Sequence, residues 1–213
     1  MTFVPAPGPG PESPTLNLTP AAAPLPHMNT ATASLSRTTV TLHWLMALAM
    51  IGLTSVGLYM AEFEVWALYP IHKSVGILVL LLAVLRAAWR LKEGWPAPTG
   101  QASALQKTLA KAVHWLLLLS TLAMPISGMI FSGASGHGFG IFGLTLMEHH
   151  QDPSKPGEVL PLNAGLSKLA HTLHSVIGYV LIAAVLLHVA GALKHHLLDR
   201  DASLRRMLGR STP

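Results

Sequence analysis

Cysteine is missing from all 213 residues. That excludes disulfides, cysteine-ligated iron–sulfur clusters, thiolate zinc sites and the covalent attachment of c-type haem. Charge is scarce too, at 11% of residues, against roughly 25% in soluble domains. With a mean hydropathy of +0.48, this shortage excludes an ordinary soluble fold. Carboxylates avoid the interiors of the long apolar runs altogether. The formal charge of +5 comes mostly from bases beside those runs, so membrane topology accounts for it and no nucleic-acid partner is expected. What the chain has in excess is histidine, 12 in all. Any metal or cofactor must hang on these rings, the few acids or the methionines.

Four apolar runs, at about 38–60, 68–90, 105–131 and 168–198, are each long enough to span a bilayer. The expected architecture is an all-α membrane protein, a four-transmembrane-helix bundle over residues 36–200. Residues 1–35 are rich in Pro, Ala and Thr and read as a disordered cytoplasmic tail, with His27 a bystander. They lack the basic and apolar regions of a secretory signal. A Pro/Gly-rich linker separates the second and third runs, and Pro125 falls inside the third, where a kink is expected. The connection 132–167 is the longest, and its piece FGIFGLTLM is apolar enough to dip into the interface. Residues 201–213 form a basic tail. Of 14 Lys and Arg, all but Lys73, Lys155 and Lys168 lie at the N-terminal side, the linker or the C-terminal side. The positive-inside rule then puts both termini in the cytoplasm.

The histidines fall at two depths. His43, His114 and His188 lie toward the cytoplasm, and His72, His171 and His174 toward the outside. On the last helix, His174 and His188 are 14 residues apart, about 40° in azimuth and about 21 Å along the axis. His171 is about 100° around from His188, so geometry prefers His174. Depth alone does not separate His43 from His114. Ionisable groups inside a span are functional by default and need a partner. Neutral imidazoles paired at one depth on facing helices are what six-coordinate b-type haem requires. Gly52, Gly57, Gly76, Gly178 and Gly191 would leave room for a flat ring. The loop residues His137, His149 and His150 read as solvated.

Several pieces in order resemble the prokaryotic cytochrome b561 family over about 36–208. They are Ser36-Arg37 with T-L-H-W at 41–44, I-H-K-S-V-G-I at 71–77 and V-L-R at 84–86, then H-W-L-L-L-L from 114 and M-P-I-S-G at 124–128. L-H-S-V-I-G-Y from 173 and L-L-H-V-A-G-A-L-K-H-H ending at 196 complete the set. The resemblance implies two b-type haems, one held by His43 and His188 near the cytoplasm and one by His72 and His174 near the outside. It leaves His114 off the iron.

Two such sites about 20 Å apart would carry electrons across the membrane. The expected function is transfer between an outer-side donor and the ubiquinone pool, and the resemblance implies superoxide as one donor. Lys73 is the candidate for steering an anionic donor. Arg37 and His195 are candidates to meet a quinone oxygen or a haem propionate. One alternative is a cytochrome b anchor subunit serving a partner dehydrogenase or hydrogenase. A histidine-lined divalent-metal transporter is another, disfavoured by the carboxylate-free spans. The last is a structural bundle whose histidines only bond across helices.

Overall fold

The computed structural model describes residues 1, 2, 8, 35–94 and 103–209. The chain divides into two compact units, Met1–Ala33 and Ser34–Pro213. Apart from Met1, Thr2, Gly8 and Leu35, the expected tail with His27 lies outside the described residues, as does the linker at 95–102.

The second unit holds four long helices: α1 Arg37–Glu62, α2 Tyr69–Glu93, α3 Ala104–Ala134 and α4 Ala164–Leu197. All four are long and apolar enough to cross a membrane. A short helix, α5 Ser203–Met207, follows. The starts carry local signals that the amino-acid order specifies. Ser36 caps α1 through Thr39 N at 3.1 Å, and Asn163 caps α4 through Leu166 N at 2.9 Å. Ser103 and Gln106 form a reciprocal capping box at the start of α3. Pro70 occupies the first turn of α2, where its missing N–H costs nothing. Gly94 ends α2 with φ +73°.

Helix α3 runs as one helix through Pro125. On either side of that residue, the hydroxyls of Thr121 and Ser127 turn back onto Leu118 O at 2.9 Å and Met124 O at 2.8 Å. These bonds satisfy polar atoms that lipid cannot.

Helix α3 packs most extensively on α4, α1 packs on α2, and α2 joins the two pairs through α3. The buried core is small and sits at mid-height: Met46, Met50, Val79, Ala83 and Leu181. The other buried positions are mostly short polar ones, such as Ser74, Ser120, Thr121 and Ser127. Lipid is as apolar as leucine, so burial does not drive these helices together; close packing and small interfacial residues do. The outward faces carry Leu48, Leu58, Leu173, Val176, Leu186 and Leu187, all exposed, as lipid-facing surfaces should be.

Side-chain bonds tie the helix ends. Trp89 Nε1 donates to Thr39 Oγ1 at 3.0 Å, and Thr39 Oγ1 donates to Glu93, joining the start of α1 to the end of α2. Trp44 Nε1 donates to Met207 O at 2.8 Å, holding α5 against α1.

The long connection is folded. It forms a hairpin of β1 Phe139–Ile141 and β2 Leu144–Met147. His150 N then bonds Gly136 O, and Leu160 N bonds His150 O, each at 2.8 Å.

Leu181 is 2% exposed at the centre of the core. Leu181→Ala is expected to cost about 2 kcal/mol, the low end for such truncations, because only packing is lost in lipid. Leu187→Ala, at an exposed position, is expected to stay within about 0.5 kcal/mol. Denaturation of the detergent-solubilised protein checks both.

Candidate haem-binding histidines

Five of the intramembrane histidines meet at two levels of the bundle. At one end, His43 on α1 and His188 on α4 have ring centres 6.2 Å apart, and His114 on α3 lies 5.2 Å from His188. At the other, His72 on α2 and His174 on α4 are 6.4 Å apart. His43, His72, His174 and His188 are half-buried, whereas His114 and His171 are exposed. His171 packs on the Phe131 ring at 4.7 Å.

These spacings have a chemical meaning. A metal–imidazole bond of about 2.0 Å, plus about 1.1 Å from nitrogen to ring centre, puts two rings on opposite sides of one metal about 6.2 Å apart. The His43–His188 and His72–His174 separations fit that value; the His114–His188 separation falls about 1 Å short of it.

The surroundings of each ring bear on which nitrogen is free to ligate. His174 Nδ1 lies 3.0 Å from Met124 O and 3.1 Å from Ser127 Oγ. A carbonyl only accepts, so Nδ1 carries the proton and Nε2 keeps its lone pair for a metal. Helix α3 thus orients a ring borne by α4, using the carbonyl just before Pro125. Buried His72 Nδ1 has no hydrogen-bond partner among the described residues. A buried imidazole nitrogen without a partner is costly and asks for one. Arg86 Nη1 is 3.4 Å from His43 Nδ1, and because a guanidinium only donates, Nδ1 is the acceptor in this contact.

Two glycines make space for these rings. A Cβ on Gly57 would lie 3.1 Å from His72 Cε1, and one on Gly128 would lie 3.0 Å from His174 Cε1. Of the other glycines expected to leave room for a flat ring, a Cβ at Gly76 would meet only Leu53 Cδ2 at 3.9 Å, and one at Gly52 or Gly191 would meet nothing within 4 Å. Gly178 faces Met124 instead. Gly128 and Ser127 were not singled out from the sequence as neighbours of a ring. The signal was there in M-P-I-S-G, since a glycine and a serine just after a mid-span proline leave space and a small polar group.

The remaining candidates occupy the bundle ends. Lys73 Nζ donates to Gly138 O at 3.0 Å and lies 3.3 Å from Ser132 Oγ and 3.4 Å from His137 O, so it pins the connection after α3. Its cation is engaged with that loop, beside His72 in sequence. Arg37 is exposed in the first turn of α1. His195 Nδ1 lies 2.6 Å from Asp199 Oδ2, which also accepts from Lys194 Nζ at 2.7 Å. The Lys194 bond, and then the His195 bond, hold the Asp199 carboxyl below its usual range. Of the loop histidines, His137 Nδ1 is 3.0 Å from Ser135 Oγ and His150 Nδ1 is 2.8 Å from Leu160 O. Partial burial, then the charges of Lys73 and His149, keep His137 below the ordinary imidazole value.

Gly128→Val is expected to push His174 off its position and lower the haem bound per chain. Gly52→Ala should leave haem content unchanged. Pyridine haemochrome quantitation of the purified proteins checks both.

The chain matches the family described as prokaryotic cytochrome b561 over residues 34–210. It is 31% identical over 175 residues to cytochrome b561 homolog 2 of Escherichia coli (strain K12), covering 80% of this chain and 88% of that protein. The probable superoxide oxidase CybB of Yersinia pestis is 29% identical over 171 residues, 78% of this chain and 91% of its own. Cytochrome b561 homolog 1 of Escherichia coli (strain K12) is 28% identical over 189 residues, 82% of this chain and 97% of its own. Four membrane-spanning helices, imidazoles gathered at two levels and a match across the whole bundle agree: the chain is a membrane electron-transfer protein of the prokaryotic cytochrome b561 family, whose members bind b-type haem.

Proposed function

We propose that this protein carries electrons across a bacterial inner membrane through two b-type haems and delivers them to ubiquinone. The observation that carries the reading is the pair of ring separations, 6.2 Å for His43 and His188 and 6.4 Å for His72 and His174. In it, His43 and His188 hold one haem near the cytoplasm, and His72 and His174 hold the other near the outside. Both termini are cytoplasmic, following the distribution of Lys and Arg. Family membership replaces the metal-transporter reading.

Bound haem supplies one-electron redox chemistry, and the protein supplies ligation, burial and orientation. His174 is held in its ligating tautomer by Met124 O. Gly57 and Gly128 keep the approach to His72 and His174 clear. The apolar core between the two levels excludes water from the path. At the cytoplasmic end, His195 with its Asp199 partner, together with Arg37, forms the polar lining proposed to meet a quinone oxygen or a propionate.

The proposed donor is superoxide, in keeping with the printed name of the Yersinia pestis relative. Two superoxide anions give up one electron each and leave as oxygen. Ubiquinone takes both electrons with two protons and leaves as ubiquinol. Lys73, next to His72 at the outer end, supplies a positive charge that favours an approaching anion, even while it holds the loop.

His72→Ala is expected to remove one of two haems and leave the other. His43→Ala should remove a haem while His114→Ala retains both, and equal loss in the two would overturn the cytoplasmic assignment. Haem quantitation with reduced-minus-oxidised spectra reads these outcomes. Superoxide-dependent reduction of a ubiquinone analogue by the purified protein tests the reaction itself. Haem reduction by superoxide without quinol formation would move the protein to the anchor-subunit reading.

A further inference from the structure

The hairpin after α3 is the feature that electron transfer leaves unexplained. Its turn, Phe142-Gly143, has both residues at positive φ, +43° and +95°. This tight reversal projects apolar side chains: Phe142, Leu144 and Leu146 are 65%, 63% and 52% exposed. Three such side chains standing together in water would be a liability. The opposite side of the hairpin is occupied, because Met147 and Phe139 lie against Gly133 on α3. They also help line an apolar cleft of about 510 Å³ with Ile126, Ile130 and Leu166.

The hairpin's height is set by its bonds to α2. Phe142 N donates to Ser74 Oγ at 3.0 Å, and the same hydroxyl lies 3.2 Å from Gly140 O. Lys73 Nζ and Ser132 Oγ both donate to Gly138 O. Ser74 is five residues past the first residue of α2, about 7.5 Å further along that helix. The α1–α2 turn carries Tyr59 beside Phe63 and Trp66 stacked on Tyr69, the kind of aromatic cluster that marks the membrane–water boundary. Ser74 Oγ also donates back to Pro70 O at 2.8 Å, so the tip is tied to the first turns of α2, just past the aromatic level.

We propose that this hairpin is a re-entrant anchor, with Phe142, Leu144 and Leu146 inserted among the lipid acyl chains of the leaflet at this end. Backbone that is not helical survives at such depth only if its polar groups are satisfied by protein. Here cross-strand pairing satisfies the facing edges of β1 and β2, and Lys73, Ser74 and Ser132 satisfy the β1 edge toward the bundle. The same bonds explain why a lysine sits beside His72. It donates to carbonyls that lipid could not satisfy, and the loop it holds closes the end of the α2–α3 pair. The partner is the acyl layer, since α2 itself, to which the tip is bonded, lies in it.

The lack of cysteine makes the test direct. Phe142→Cys, Leu146→Cys and, as the base of the hairpin, Glu148→Cys are spin-labelled singly in the haem-loaded protein in lipid nanodiscs. Collisions with oxygen and with a water-soluble nickel chelate are then compared. The expected result is a several-fold higher oxygen-to-nickel ratio at 142 and 146 than at 148. Nickel access at 142 or 146 comparable to that at 148 overturns the proposal by placing the hairpin in water. Exclusion of both reagents overturns it in favour of a second copy of the chain covering the patch. A second measurement needs no substitution: acyl-chain diazirine lipid photolysed with the unmodified protein should label residues 139–146, and failure to label them overturns the proposal.

Discussion

An imidazole nitrogen inside a lipid-embedded bundle must be given a partner, because no water reaches it. Much of this structure can be read as the ways that demand is met. His174 gives Nδ1 to a carbonyl and keeps Nε2 free. Buried His72 Nδ1 is an exception, with no partner among the described residues. His188 faces two other rings, and His171 rests on an aromatic face. The rings gather at two levels because α4 carries two of them far apart on one face. The short residues around them, Gly57, Gly128 and Ser127, let the neighbouring helices come close.

The same demand shapes the packing between and beyond the rings. The core is a small mid-height cluster of methionine, valine, alanine and leucine, separating one histidine level from the other. Methionine suits such a place because its flexible thioether fills irregular gaps. The helix ends are secured by directional bonds rather than bulk: Trp89 and Glu93 on Thr39, Trp44 on the carbonyl of Met207, and Lys73 on the carbonyls after α3. Where apolar contact gives little net attraction between helices, such bonds do the joining.

Much of this was legible in the chain. Four uninterrupted apolar runs, the caps Ser36, Ser103 and Asn163, and Pro70 at a helix start depend on near neighbours, and the helices lie within a few residues of their expected bounds. Helix α4 starts earlier than expected, at Ala164, because Asn163 supplies the cap and Lys168 lies inside the first turns. Helical azimuth sets His174 nearer than His171 to the face of His188, and in the fold His174 meets His72 while His171 meets Phe131. The connection 132–167 was readable only as apolar and rich in glycine. Its hairpin depends on Lys73 and Ser74, which lie more than 60 residues away.

The sequence by itself determined the class of protein: apolar spans, scarce charge, no cysteine and histidines at two depths leave few kinds of cofactor open. Each of these is a property of composition or of one helix, and local geometry suffices for it. Which rings approach which was decided by tertiary structure alone. His43 and His114 share a depth, and only the packing of α1 and α3 around α4 sets one ring 6.2 Å and the other 5.2 Å from His188. Lys73 likewise reads as a free surface cation until the fold brings three oxygens to it, because a side chain's partners depend on distances that chain order does not contain.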